Sequence, residues 1–192
     1  MGGCGGFISF RITTMDRDEI RHTIDFQLKQ PIAMCIRGKY YRAALILIYS
    51  GMDAMSNLIR NLKKRENNRD DFVEWVRGYL HIQGEHQTQI TPEEWWSSRC
   101  GLIHTQTYLS RDVSNGKCRI ITFMNGLENP TIRYNKSIDP SQINVSIIAL
   151  EESFLIGVDK TINALQNNAA LASVAEERLR KLYINVPITR TK

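Results

Sequence analysis

The sequence predicts a mainly α-helical fold, a helical bundle of about five to six helices with a small inserted β-hairpin. Three observations carry that reading. Apolar residues recur at helical steps through most of the chain, as in Ala44, Ile48, Met52, Met55, Ile59 and Leu62. Thr91-Pro92 followed by Glu94 is the clearest helix start, with N-cap, N1 proline and capping-box acid in their places. Lys117 to Met124 breaks the helical period with an apolar, β-branched run that follows the turn pair Asn115-Gly116. With 192 residues, 42% of them hydrophobic and 23% charged, the chain suits one domain over 1–192 with its core at about 16–184. Disordered, collagen-like and disulfide-scaffold classes are excluded by the same composition.

Each element has a local reason. Asp16 to Glu19 is an acidic opening with capping-box spacing, and Ile20, Ile24 and Leu28 follow at i+4. Pro31 is expected to kink or restart this helix, and Gly38 to end it. A long amphipathic helix is expected from about Lys39 to Leu62, central to the core because Leu45, Leu47 and Leu58 widen its stripe. The polar run Arg60 to Asp71 is a loop, and a third helix follows at about Asp70 to His81, with Phe72, Val76 and Tyr79 inward. Gly84 to Gln89 is a second loop. The helix begun at Thr91 is expected to run through Trp95, Trp96, Arg99 and Leu102 to His104. The hairpin occupies about 117–135, pairing Lys117–Met124 with Thr131–Asn135 across a loop containing Asn125-Gly126 and Pro130. Two C-terminal helices close the chain, one on the stripe Ile143, Ile147, Leu150, Phe154, Val158, Ile162 and Leu165, the other over Ala169 to Tyr183, before Pro187.

Charge and cysteine content narrow the setting. Twenty-five Lys and Arg against twenty Asp and Glu leave +5, which permits an anionic partner such as RNA. Cys4, Cys35, Cys100 and Cys118 form no C-x-x-C pair and are expected to be free thiols in a reducing compartment. The N-terminal segment has neither a basic region nor an adequate apolar core, so a cytoplasmic protein without membrane association is expected.

The chemistry concentrates in Trp95 to Thr105, where Arg99 is followed after four residues by His104. Cleavage of RNA by its own 2′-hydroxyl needs a base for that proton, an acid for the leaving 5′ oxygen, and positive charge on the phosphorane. Imidazole titrates near pH 6.5 and serves as either acid or base. A guanidinium gives fixed charge and bidentate contact to phosphate oxygens. On an unbroken α-helix Arg99 and His104 would lie about 140° apart. Convergence therefore requires Gly101 to relax the helix, or a neighbouring subunit.

At these two residues the chain resembles the HEPN superfamily of helical nucleotide-binding domains and ribonucleases, whose signature is Arg, four to six residues, then His. The resemblance spans roughly Lys39 to Leu165 as a helix pattern, with only Arg99 and His104 motif-specific; Cys100 stands where the family often has Asn, Asp or His. It implies a homodimer with a composite active site at the two-fold interface and metal-independent endoribonuclease cleavage, with no cofactor. The products would be a 2′,3′-cyclic phosphate and a 5′-hydroxyl. The role implied is a toxin or anti-phage defence effector, with an antitoxin or other regulator protein as a possible partner. The alternative is a non-catalytic dimeric HEPN-like module binding RNA, a nucleotide or a partner protein; a third class is a purely structural helical adaptor.

In this reading the catalytic residues are Arg99, His104 and Asp53. Asp53 lies mid-helix among apolar neighbours, where a carboxylate needs a charge partner, and acidic residues on earlier helices orient the arginine in HEPN proteins. Asp53 could instead face outward with Ile46, Ser50, Asn57 and Arg60. Arg99 could pair with Glu94 or Glu151, and His104 could be an ordinary helix-end histidine. RNA-binding residues would be Arg119, Arg133 and Lys117 on the hairpin and Ser98 beside the motif, with Trp95 and Trp96 available for stacking. A cysteine nucleophile from Cys100 with His104, and a zinc site from Cys100, His104 and Cys118, are the weaker alternatives. His22, His81 and His86 are expected to be solvated or capping.

Overall fold

A computed structural model describes residues 17–82, 89–125 and 132–182. The sequence readings at Cys4, Asp16, Gly84 to Thr88 (His86 among them), Gly126 to Thr131, Tyr183 and Pro187 lie outside those residues. The chain begins with α1 (Arg17–Ile24), passes through a π-helical turn (Asp25–Lys29) and continues as α2 (Gln30–Arg37). Pro31 has no N–H to give and its ring crowds the carbonyl four residues back. The wider π turn just before it accommodates that loss without ending the helix. Gly38 closes α2 in an ordinary right-handed conformation, and the left-handed residue is Lys39, at φ 61°.

The long central helix is α3 (Tyr41–Ile59), followed by α4 (Arg69–Tyr79) and α5 (Pro92–Cys100). Asn68 caps α4 with a full capping box to Asp71. Thr91 and Glu94 form the expected box at the start of α5. Beyond α5 come a second π turn (Gly101–Thr105) and a one-turn helix α6 (Arg111–Ser114), for which the sequence carries no periodic signal. The chain continues, after the β structure, with α7 (Ile147–Gln166) and α8 (Ala169–Leu182).

The β structure corrects the expected hairpin. β1 (Ile120–Met124) and β2 (Ile132–Arg133) do not pair; both flank a third strand, β3 (Gln142–Ser146), in the order β1-β3-β2. β1 runs parallel to β3, Ile121 opposite Ile143 and Phe123 opposite Val145, while β2 runs antiparallel with Ile132 opposite Val145. Ile143 is therefore not the first residue of a helical stripe. It alternates with Val145, both fully buried, and Ser146 then caps α7 by accepting from Ala149 N–H. Strand and helix share one apolar run, so periodicity alone places the boundary too early.

The core lies between α3 and α7, with α4, α5 and the sheet closing it. Ile48, Tyr49, Met52, Leu58, Phe72, Trp75, Phe154 and Val158 are at most 1% exposed. Each such apolar side chain stabilises the fold by about 1.5–3 kcal/mol before entropy is counted. Gly51 is needed where α3 meets α7, since a Cβ there would stand 2.5 Å from Phe154. Within the core, Trp75 Nε1 donates to Thr161 Oγ1 at 2.9 Å, and Thr161 in turn to Gly157 O at 2.8 Å. From α8 the buried Arg178 donates to the carbonyls of Asn57, Leu58, Arg60 and Asn61, satisfying the C-terminal end of α3. Among the described residues no helix is long and apolar enough to cross a membrane.

Candidate functional site

Three elements converge on Arg99. α3 supplies Asp53, whose Oδ2 accepts from Arg99 Nε at 2.9 Å and Nη2 at 2.7 Å. α5 supplies Arg99 itself and Trp96, whose ring lies 5.1 Å beneath the guanidinium carbon. The π turn supplies His104, whose Nε2 lies 2.6 Å from Arg99 Nη1. An arginine can only donate, so in this contact Nε2 is the acceptor. The open choice for Asp53 resolves toward Arg99. Glu94, one of the two other partners considered for that arginine, is committed elsewhere.

The backbone explains how residues five apart meet. From Gly101 the helix widens, and Gln106 N–H closes an i→i+5 bond onto Gly101 O. That extra residue per turn rotates His104 back over Arg99, where a straight α-helix would hold it well away. Gly101 permits it: a Cβ there would meet the Thr107 carbonyl oxygen at 2.8 Å, and Thr107 N–H donates to Gly101 O at 3.1 Å. Gln106, left-handed at φ 54°, turns the chain out of the helix. Arg42 of α3 holds that corner by donating to Gln106 O at 2.8 Å. Neither Arg42 nor Gln106 is legible in the sequence, because nothing local ties α3 to this corner.

The pair is neither deeply buried nor free. The side chains of Arg99 and Asp53 keep 16% and 25% of their exposure, while His104 is exposed. Burial pushes the Asp53 carboxyl up, and the Arg99 hydrogen bonds and charge, with His104, draw it back only partly, leaving it above its ordinary value. Burial also pushes the Cys100 thiol up, more than Arg99 lowers it. A thiol held protonated at neutral pH is a poor nucleophile, which argues against the cysteine–histidine alternative. Among the described residues no group of three or more His, Cys, Asp and Glu side chains stands ready to hold a metal ion.

Beside the ion pair opens a cleft of ≈ 430 Å³, lined by Ser50, Asp53, Ala54, Asn57, Asn67, Asn68, Trp96 and Arg99. Trp96 forms its wall, edge-on to Phe72 at 5.3 Å between ring centres. Trp95, by contrast, is core, 3% exposed. Asn57, Asn67 and Asn68 escape a reading of the sequence: two sit in a polar loop that resembles solvated connection.

Two of the expected RNA-binding residues have partners within the fold. Ser98 is buried and its Oγ accepts from the Tyr49 hydroxyl at 2.8 Å, so it braces α3 against α5. Arg119 is committed to Glu94, with Nε 2.6 Å from Oε1 and Nη2 2.8 Å from Oε2, and stacks over the Tyr134 ring at 4.8 Å. Burial raises the Glu94 carboxyl, but Arg119 and the Thr91 backbone outweigh it and hold it below its ordinary value. Lys117, ahead of β1, and Arg133, on β2, are exposed, and neither lines the cleft beside Arg99. His22 and His81 are exposed as expected, His81 with a ring nitrogen 3.2 Å from Gly78 O.

Compared with family models, curated proteins and solved structures, the chain matches none.

Proposed function

We propose that the chain is a HEPN-type, metal-independent endoribonuclease that acts in the cytoplasm as a homodimer. The observation that carries the reading is the constellation itself: Arg99 held on one side by Asp53 and hydrogen-bonded on the other to an exposed His104. This is the donor set that 2′-hydroxyl transesterification requires. His104 Nε2, once a substrate phosphate draws Arg99 away from it, takes the 2′-hydroxyl proton as the 2′ oxygen attacks phosphorus. The bond from phosphorus to the 5′ oxygen breaks, and a protonated imidazole gives that oxygen its proton. One chain offers one such imidazole; a second copy across a two-fold axis supplies the other. Arg99 neutralises the developing phosphorane charge, and Asp53 keeps its guanidinium from turning. RNA ends as a 2′,3′-cyclic phosphate and a 5′-hydroxyl.

A second reading keeps the fold and drops the chemistry: a dimeric module that binds RNA, a nucleotide or a partner protein such as an antitoxin. The observation favouring it is that three of the five N–H donors of Arg99 are already spent, Nε and one of Nη2 on Asp53 and one of Nη1 on His104. The two separate in one assay, incubation of mixed cellular RNA in EDTA with wild type and His104→Ala purified identically. The nuclease reading expects cyclic-phosphate ends from wild type and a loss of at least about a hundredfold in the variant. Absence of cleavage by a folded dimer transfers the function to the binding module.

A further inference from the structure

We infer that Arg42, on α3, is a positioning residue for His104: it pins the turn that carries the imidazole and so sets the contact between His104 and Arg99. The inference rests on the ribonuclease reading for what the imidazole does, and on separate contacts for how it is placed. Leu102 and Ile103 pack against the core, but every residue from His104 to Leu109 is exposed. Burial therefore does not hold the part of the turn that decides where the imidazole lies, and hydrogen bonds must. Thr105 Oγ1 donates to Gly101 O at 2.8 Å and Thr107 N–H to the same oxygen at 3.1 Å, both bonds internal to the turn. Arg42 ties this stretch to another helix: its Nη2 donates to Gln106 O at 2.8 Å and to Gln106 Oε1 at 3.3 Å.

Gln106 is the residue that needs such a tie. At φ 54° and ψ 28° it is left-handed, a conformation that crowds a side chain's Cβ against the backbone. Its N–H closes the wide turn onto Gly101 O, so relaxing Gln106 to a right-handed φ would disturb the bond that rotates His104 over Arg99. A charge-assisted hydrogen bond is of the size that offsets one left-handed residue. The guanidinium also stands at the carbonyl end of α5 and its π turn, where a cation is favoured. Arg42 and Asp53 are both on α3, and their spacing brings them to within about 20° of one face, about 16 Å apart along the axis. One rigid helix face thus holds both members of the pair, Asp53 gripping Arg99 and Arg42 gripping the turn behind His104.

The test combines NMR of the His104 Nε2 nitrogen, whose resonance reports the hydrogen bond from Arg99, with kcat and KM for RNA cleavage in EDTA. Arg99→Ala supplies the reference spectrum of an imidazole without that bond. Arg42 is exposed, so Arg42→Ala leaves the core intact. It should move the Nε2 resonance to the reference position and lower kcat by about 10–100-fold, the effect of a group misplaced by about 1 Å. KM should stay within about twofold, because no contact to RNA is removed. Adding Gln106→Gly, which takes a positive φ without strain, should restore both the resonance and kcat. An Nε2 resonance unchanged in Arg42→Ala, or a double variant that does not recover, overturns the inference. A raised KM with kcat kept does so too, since that is the mark of a direct contact to the RNA backbone. The nuclease reading fails separately: the resonance can depend on Arg42 in a protein that cleaves nothing, and cleavage can be present where the resonance is indifferent to Arg42.

Discussion

Replacing Asp53 by asparagine is expected to leave stability almost unchanged while removing most of the proposed ribonuclease activity. The argument starts from the direction of the Asp53 titration. Burial raises this carboxyl more than Arg99 lowers it, so the folded state holds the Asp53 proton more tightly than the unfolded chain does. Between the ordinary carboxylate value of 3.8 and the raised one, the native state binds more protons. Stability then falls as pH rises through that window. Asparagine resembles the protonated acid in shape and charge, so Asp53→Asn should change stability at pH 7 by no more than about 1 kcal/mol, in either direction. Arg99→Ala is the opposite case. It leaves a carboxylate with 25% side-chain exposure and no cation, and should cost about 2–3 kcal/mol, below the 3–5 of a fully buried pair. Activity follows the other partner: without the charge on Asp53, Arg99 turns, and a displacement near 1 Å costs about 10²-fold. Urea unfolding followed by tryptophan fluorescence between pH 4 and 8 measures the stabilities, and carboxyl NMR gives the Asp53 titration. An Asp53→Asn loss above about 2 kcal/mol, with wild-type Asp53 titrating below its ordinary value, would refute the reasoning.

Three further outcomes follow from the same contacts. Gly101→Ala should force the Thr107 carbonyl aside, cost about 1–3 kcal/mol and abolish the Arg99–His104 contact; calorimetry and His104 ring NMR read both, and an unshifted His104 spectrum would contradict it. Glu94→Gln should destabilise by about 1–3 kcal/mol, because the Arg119 guanidinium loses a carboxylate that is only 7% exposed. The folded Glu94 value is lowered, so its contribution is complete above the ordinary 4.5 and disappears as pH falls through the folded value. Acid unfolding of wild type and Glu94→Gln should therefore converge at low pH, and parallel curves would sink the assignment.

Asp53, Arg99 and His104 illustrate how far local information reaches. The helices carrying the first two are legible because an amphipathic stripe and a capping box are properties of neighbours in sequence. That a carboxylate among apolar residues needs a cation is also local physics, and it singles out Asp53. Which cation answers it is a contest among distant groups: Glu94 takes Arg119, which leaves Arg99 to Asp53. Ser98 shows the same dependence, since its burial against Tyr49 is set by how α3 crosses α5.

What the amino-acid sequence by itself determined is the helical class, the long central helix and the start of α5; it also singles out Arg99 and His104 as a candidate pair. The packed chain alone decided the rest. A strand and a helix that share one apolar run, Ile143 to Leu165, are told apart only by the strands β1 and β2 that pair with its first residues. An α turn and a π turn differ by one hydrogen-bond step, and that step is chosen where Gly101 meets the backbone of Thr107. Pairing of strands and close approach of backbones are contacts between residues remote in sequence, to which the periodicity of side chains is blind.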